Sequence, residues 1–191
     1  GRAAQIYACD GIELLSHLPF KSFSSAPTRM ANIWGFVSKN DEREYILVGV
    51  SNGTAIFDVT DALNPREIVT IPATPNAWRE MRTYQFWSEA AQHWQAYAYI
   101  VTELWGQGLQ IVDLSHLPLT ATLVTTDHYI QKAHTIHISD VDYTYGITQT
   151  GAAAYAFVNG TNLDRGAFHL LDLSNPISPT KMSTPTKSAN Y

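Results

Sequence analysis

The chain reads as all-β: a β-propeller of four-stranded antiparallel blades, with about three blades present in an incomplete ring. The first observation is a phrase written three times. Gly53-Thr54-Ala55-Ile56-Phe57-Asp58-Val59-Thr60 returns as Gly108-Leu109-Gln110-Ile111-Val112-Asp113-Leu114-Ser115, and again as Ala167-Phe168-His169-Leu170-Leu171-Asp172-Leu173-Ser174. The second is the setting of each copy, which follows a run of aromatic and β-branched residues and precedes a proline, Pro65, Pro118 or Pro176. The third is the period: the aspartates recur after 55 and then 59 residues with no helical pattern between them. Periods of that size are the mark of propeller blades and similar all-β arrays.

Residues 1–30 read as an irregular N-terminal segment. Cys9-Asp10-Gly11 is a turn signal, Ile12 to Leu18 is a short apolar stretch stopped by Pro19, and Lys21 to Thr28 is a Ser-rich loop. The three blades then occupy about 31–75, 76–130 and 131–183, and a tail, 184–191, leads towards a further blade. In the first, strands are predicted over 32–37, 45–50, 54–59 and 66–71. Ser38-Lys39-Asn40-Asp41 and Ser51-Asn52-Gly53 supply turn residues that tolerate positive φ. The second runs 79–86, 96–101, 109–114 and 120–125; the third runs 135–138, 153–158, 168–173 and 180–183. The middle strands Tyr45-Ile46-Leu47-Val48 and Tyr97-Ala98-Tyr99-Ile100-Val101 are apolar on both faces, as strands covered from both sides are. Propellers typically need about four to eight blades. Three therefore imply a fragment of a longer chain, with an apolar blade face and a strand edge left for a partner or the missing part.

The composition narrows the function classes. An apolar fraction of 45% and an aromatic fraction of 12% support a packed core. A net charge of −5 lacks the basic surplus that displaces counterions from phosphate, which argues against nucleic acid. Lys and Arg are scattered singly rather than in a membrane-binding patch, and no apolar run reaches the roughly 18 residues of a membrane span. The lone cysteine, Cys9, is open to three readings: a buried inert thiol, a reactive thiol, or half of a disulfide whose partner lies outside this chain.

The order of these pieces resembles a known family, the LVIVD-repeat propellers of bacterial surface proteins labelled choice-of-anchor B. The resemblance rests on Tyr7-Ala8-Cys9 and Leu14-Leu15-Ser16-His17-Leu18-Pro19 at the start, and on Asn32-Ile33-Trp34-Gly35-Phe36 with Arg43-Glu44-Tyr45-Ile46-Leu47-Val48-Gly49 in the first blade. Trp78-Arg79-Glu80-Met81 and Ala133-His134-Thr135-Ile136 resemble the starts of the next two. The chain departs from the pattern at Ala31, Glu80 and Thr135, where Asn, Asp and Asn are expected, and at Ala167 in place of a glycine. The resemblance implies a longer exported protein, secreted, periplasmic or held at the cell surface. It also implies that Cys9 pairs with a cysteine upstream of Gly1. It carries no established chemistry.

The candidate site residues follow from the repeat. Asn32, Arg79 and His134 fall at equivalent points near the starts of three inner strands, where they would converge on one axis. Such a cluster suits an anion or a peptide carboxylate, which an Arg fork and an imidazole can grip. The plainer role is mutual satisfaction around a water-filled channel. His128, His134 and His137 lie close together beside Asp127, but His134 and His137 are three apart and on a strand would point to opposite faces. Zinc would need a bend there. Asp140 and Asp142 place oxygens at alternate positions, like the first half of a calcium loop without its later acidic ligand; an inter-strand turn is the plainer reading. The repeated Asp58, Asp113 and Asp172 read as structural carboxylates that accept backbone N–H bonds in the turn that follows. Of the five tryptophans, Trp105, in the loop 103–108, is the best exposed contact.

No nucleophile elbow and no phosphate-binding glycine loop occur. The expectation is a non-enzymatic exported or cell-surface propeller, with no cofactor unless calcium. It would bind a protein or extracellular-matrix partner, or assemble with itself, and it contains no transmembrane segment. The alternative is a propeller-based hydrolase or lyase using Arg79, His134 and His128 around a metal or an anionic substrate.

Overall fold

The computed structural model describes residues 10–182 and the backbone of residues 2–3 and 7–8. Cys9 and the tail 184–191 lie outside the described residues, so the pairing of Cys9 is not addressed by the fold. The protein is all-β. A two-residue ribbon, β1 (Arg2–Ala3) with β2 (Tyr7–Ala8), precedes three four-stranded antiparallel sheets. The first contains β3 (Met30–Val37), β4 (Glu44–Val50), β5 (Gly53–Asp58) and β6 (Arg66–Pro72). The second contains β7 (Arg79–Ser88), β8 (His93–Thr102), β9 (Leu109–Asp113) and β10 (Thr122–Asp127). The third contains β11 (Thr135–Ile138), β12 (Tyr155–Asn159), β13 (His169–Asp172) and the short β14 (Thr180–Lys181). Each sheet is a meander in chain order.

Each strand predicted from the sequence has a counterpart. The largest differences are at β8, which starts three residues earlier at His93, at β10, which lies two residues later than expected, and at the third sheet, whose last three strands are shorter. The turns that join them use conformations the sequence permits. Gly108 has φ +72, and a Cβ there would lie 2.6 Å from Thr126 Cγ2 and 2.7 Å from the Asp127 carbonyl oxygen. Any side chain would collide with that turn.

Alternation along the strands decides which face meets which sheet. In the repeated phrase, Ile56 and its cross-strand partner Leu47 belong to the core between the first and second sheets. Their equivalents Ile111 and Tyr99 belong to the core between the second and third. The residues one step out of phase face backwards. Val112 and Leu114 join the core shared with the first sheet, and Leu171 and Leu173 the core shared with the second. Among the described residues the backward face of the first sheet meets no sheet; Val48, Val50, Ala55 and Phe57 pack instead against Leu18 and Phe23 of the N-terminal segment. Phe23 and Phe57 meet edge to face, with ring centroids 5.0 Å apart.

The sheets approach most closely at their first strands: β3 lies against β7, and β7 against β11, with no comparable approach among β6, β10 and β14. A fully buried glutamine ties this inner end. The Gln85 carboxamide donates to the carbonyls of Val37 (2.8 Å) and Tyr145, and accepts from the Lys39 amide at 3.0 Å. The Gln85 backbone amide donates to Gly146 O at 2.8 Å, and Val37 donates to Thr144 O at 2.7 Å. One side chain thus joins β3, β7 and the loop that follows β11.

Replacing Gln85 with Ala leaves two carbonyls and an amide without their partner in a buried position. The expected loss is roughly 2–4 kcal/mol in urea unfolding, with the strand content unchanged by circular dichroism.

Candidate functional site

At the starts of the second and third sheets, two side chains, Trp78 and Glu103, assemble around His134. Its ring stacks on Trp78, with centroids 4.8 Å apart and planes within 4°. The Trp78 indole N–H donates to the His134 carbonyl at 2.7 Å, which fixes the loop before β11 against the start of β7. The Glu103 carboxylate lies 2.6 Å from His134 Nδ1. Bonding at Nδ1 leaves Nε2 as the available ring nitrogen. His134 and Glu103 are both half exposed, and Trp105, two residues beyond Glu103 on the same loop, is 60% exposed. The site combines an aromatic face, a carboxylate and an imidazole at one rim of the molecule. These groups suit recognition of a polar chain such as a peptide, by stacking and directed hydrogen bonds.

The three residues predicted to converge do not form one cluster. Arg79 is fully buried, in phase with Met81 on the face of β7 that meets the first sheet. Its guanidinium donates to the carbonyls of Val50 (3.1 Å) and Thr74, while Nη1 has no partner. Burial lowers its pKa from the ordinary arginine value. Asn32 turns its carboxamide oxygen onto the next backbone amide, Ile33, at 2.7 Å. Among the described residues, no hydrogen bond links Asn32, Arg79 and His134 to one another. His128 is exposed beside Gly108, and no three His, Cys, Asp or Glu side chains gather as a metal site among the described residues.

The acidic residues singled out by sequence are tied to backbone. Asp142 accepts the amides of Thr144 (3.0 Å), Tyr145 (2.7 Å) and Ile147 (3.0 Å), which shapes the loop that reaches Gln85. Asp140 accepts from the Thr150 amide at 3.1 Å and from its hydroxyl. In the repeated phrase Asp58, Asp113 and Asp172 each accept the amide two residues on, from Thr60 (3.0 Å), Ser115 (2.8 Å) and Ser174 (2.7 Å). That is the Asx-turn geometry.

Two features of the inner edge were not singled out by sequence. Arg82 lies 4.2 Å over the Trp34 ring and pairs with Glu80 at 3.0 Å, while Trp34 Nε1 donates to Thr83 Oγ1 at 3.0 Å. Glu103, the partner of His134, carries no signal in the sequence because 31 residues separate the two. A second concavity lies on the backward face of the first sheet. It is an open groove of about 800 Å³, mostly apolar, between the N-terminal segment and residues such as Met30, Ile33, Ile46 and Val59. No helix of the described residues is long and apolar enough to cross a membrane. Compared with protein-family models and with curated proteins, the chain matches none.

Asp58 makes the acid behaviour of the fold specific. Burial pushes its carboxyl up, but hydrogen bonds from Thr60 and the Arg43 guanidinium 2.7 Å away outweigh that and hold it below the ordinary value. A depressed folded pKa gives stability that is fully present above the unfolded pKa of about 4 and is lost as the pH falls through the folded one. Unfolding at pH 7 and at pH 3 is therefore expected to show a smaller acid loss in Asp58→Asn than in the native protein.

Proposed function

We propose that the chain is part of an exported or cell-surface β-propeller, its three sheets being successive blades over about 31–75, 76–130 and 131–183, and that it works as a non-enzymatic protein-binding module. The close approach of β3, β7 and β11, with the fourth strands apart, supports a radial arrangement of the sheets. The resemblance to LVIVD-repeat proteins supports export. The observation that carries the binding role is the rim cluster, where Trp78 and His134 are stacked, Glu103 holds the imidazole and Trp105 stands 60% exposed. Exposed aromatic side chains on rigid supports are the usual anchors of protein recognition. A peptide segment of a partner protein is the ligand class that uses both the stacking faces and the carboxylate–imidazole pair.

The Glu103–His134 pair also favours a second reading, a hydrolase or lyase, because a carboxylate at Nδ1 orients Nε2 as a base. In that reading His134→Ala abolishes turnover of an ester or glycoside panel and leaves the melting temperature unchanged.

A peptide library selected on the immobilised protein separates the two. On the binding reading, recovered peptides lose at least about tenfold in affinity for Trp105→Ala and for His134→Ala, with melting temperatures within a few degrees of native. Failure to recover any peptide, or equal binding by both variants, sinks the binding role of the rim.

A further inference from the structure

A cleft of about 430 Å³ lies between the second and third sheets, bounded by the end of β7 and the start of β8 on one side and by the segment 147–153 on the other. Trp78, at the His134 rim, and Trp87, in the cleft, are about 30 Å apart at the roughly 3.3 Å per residue of extended chain, so the two surfaces are separate. Four aromatic rings line the cleft: Tyr84, Phe86, Trp87 and Trp94. Tyr84 and Phe86 stack with centroids 5.4 Å apart, and Trp87 meets Trp94, its partner across the hairpin, edge to face at 6.1 Å. The backbone beneath them is held firmly. The Trp94 amide donates to Asn40 Oδ1 at 3.1 Å and its carbonyl accepts from Asn40 Nδ2 at 2.8 Å. Trp87 is nevertheless 42% exposed.

The polar groups of the cleft select the ligand. No Asp, Glu, Lys, Arg or His lines it, so a charged ligand would meet no counter-charge there. The Gln85 carboxamide is committed to Lys39, Val37 and Tyr145, and the Ser174 hydroxyl donates to Asp172 at 2.6 Å. Trp34 and Trp78 donate their indole N–H groups within the fold, to Thr83 and to the His134 carbonyl. Among the described residues Trp87 and Trp94 make no such bond, which leaves two N–H donors, with the Thr148 hydroxyl, for a ligand. We propose that the cleft binds a proline-rich segment of a partner protein in the polyproline II conformation. Proline has no N–H to satisfy, and its carbonyls are free in that helix to accept from the indoles. The pyrrolidine rings pack on the aromatic faces, and a preformed extended helix loses little freedom on docking. A neutral sugar fits less well, because its hydroxyl hydrogens need acceptors and the lining has neither a carboxylate nor a free carboxamide. The inference does not rest on the rim around His134.

The test is fluorescence polarisation of a labelled oligoproline of about ten residues titrated with the full chain. The expected result is saturable binding with a dissociation constant below about 1 mM. Trp87→Ala removes an exposed ring, and Ala152→Glu puts a longer, charged side chain at an exposed position of the cleft without removing any packing. Each should weaken binding at least about tenfold while the melting temperature stays within a few degrees of native. Trp87→Phe, which keeps a ring and removes the indole N–H, should fall between Trp87→Ala and the native protein. Trp105→Ala at the rim should bind the oligoproline as the native protein does. Absence of saturable binding overturns the proposal, as does equal binding by Trp87→Ala and Ala152→Glu. Loss of binding in Trp105→Ala with the cleft variants unaffected would place the peptide at the rim and overturn it too. So would a neutral oligosaccharide that binds more tightly than oligoproline and is lost in the same cleft variants, since the site would then be a glycan site.

Discussion

The arrangement of the three sheets depends on the hydrogen bonds gathered at Gln85. A buried carboxamide has more bonding capacity than any apolar residue, and leaving it unpaired is costly. Here its oxygen takes the Lys39 amide and its nitrogen serves the carbonyls of Val37 and Tyr145. The Val37 carbonyl and the Lys39 amide belong to the end of β3 and the turn after it, the Tyr145 carbonyl to the loop after β11, and all three can be satisfied together only if these two segments meet β7 at one point. Apolar packing between sheets is broad and tolerant of sliding; this contact is directional. It sets how far the first strands can converge, and so the angle at which the faces of the sheets meet.

The loop that completes this junction is shaped from within. Asp142 gathers three backbone amides, and Gly146, at φ +71, passes so close to β7 that a Cβ would lie 2.8 Å from the Thr83 carbonyl oxygen. Tyr143 then meets Trp34 edge to face at 6.0 Å, and Trp34 carries Arg82 on its ring. The inner edges are thus closed at one end by the loop 139–149 and open at the other, where Trp78, His134 and Glu103 are grouped.

Arg79 shows how differently a charged residue behaves a few ångströms away. It is in the same strand-start region as Trp78 but points into the packed face beside Gly49 and Val50, where only carbonyl oxygens meet it. A guanidinium so placed braces β4 against the loop before β7. Its distance from the rim in kind, buried against exposed, divides the predicted polar cluster into a structural half and a half available to a ligand.

Strand positions, turn chemistry and the repeat were legible in the amino-acid sequence, because each depends on neighbours within a few residues. Period-two alternation marks strands, and an Asp followed two residues later by an amide makes its own turn, as Asp58, Asp113 and Asp172 do. Even the burial of Arg79 had a signal: its place two residues before Met81 puts both on one face of β7. What only the tertiary structure decided is long-range. The pairing of Glu103 with His134, the keying of Gln85 into three segments and the folding of Phe23 over Phe57 join residues between 31 and 60 positions apart. No local pattern encodes such partners, because their bonds form only after the sheets have docked and each face has found the one that excludes water from it.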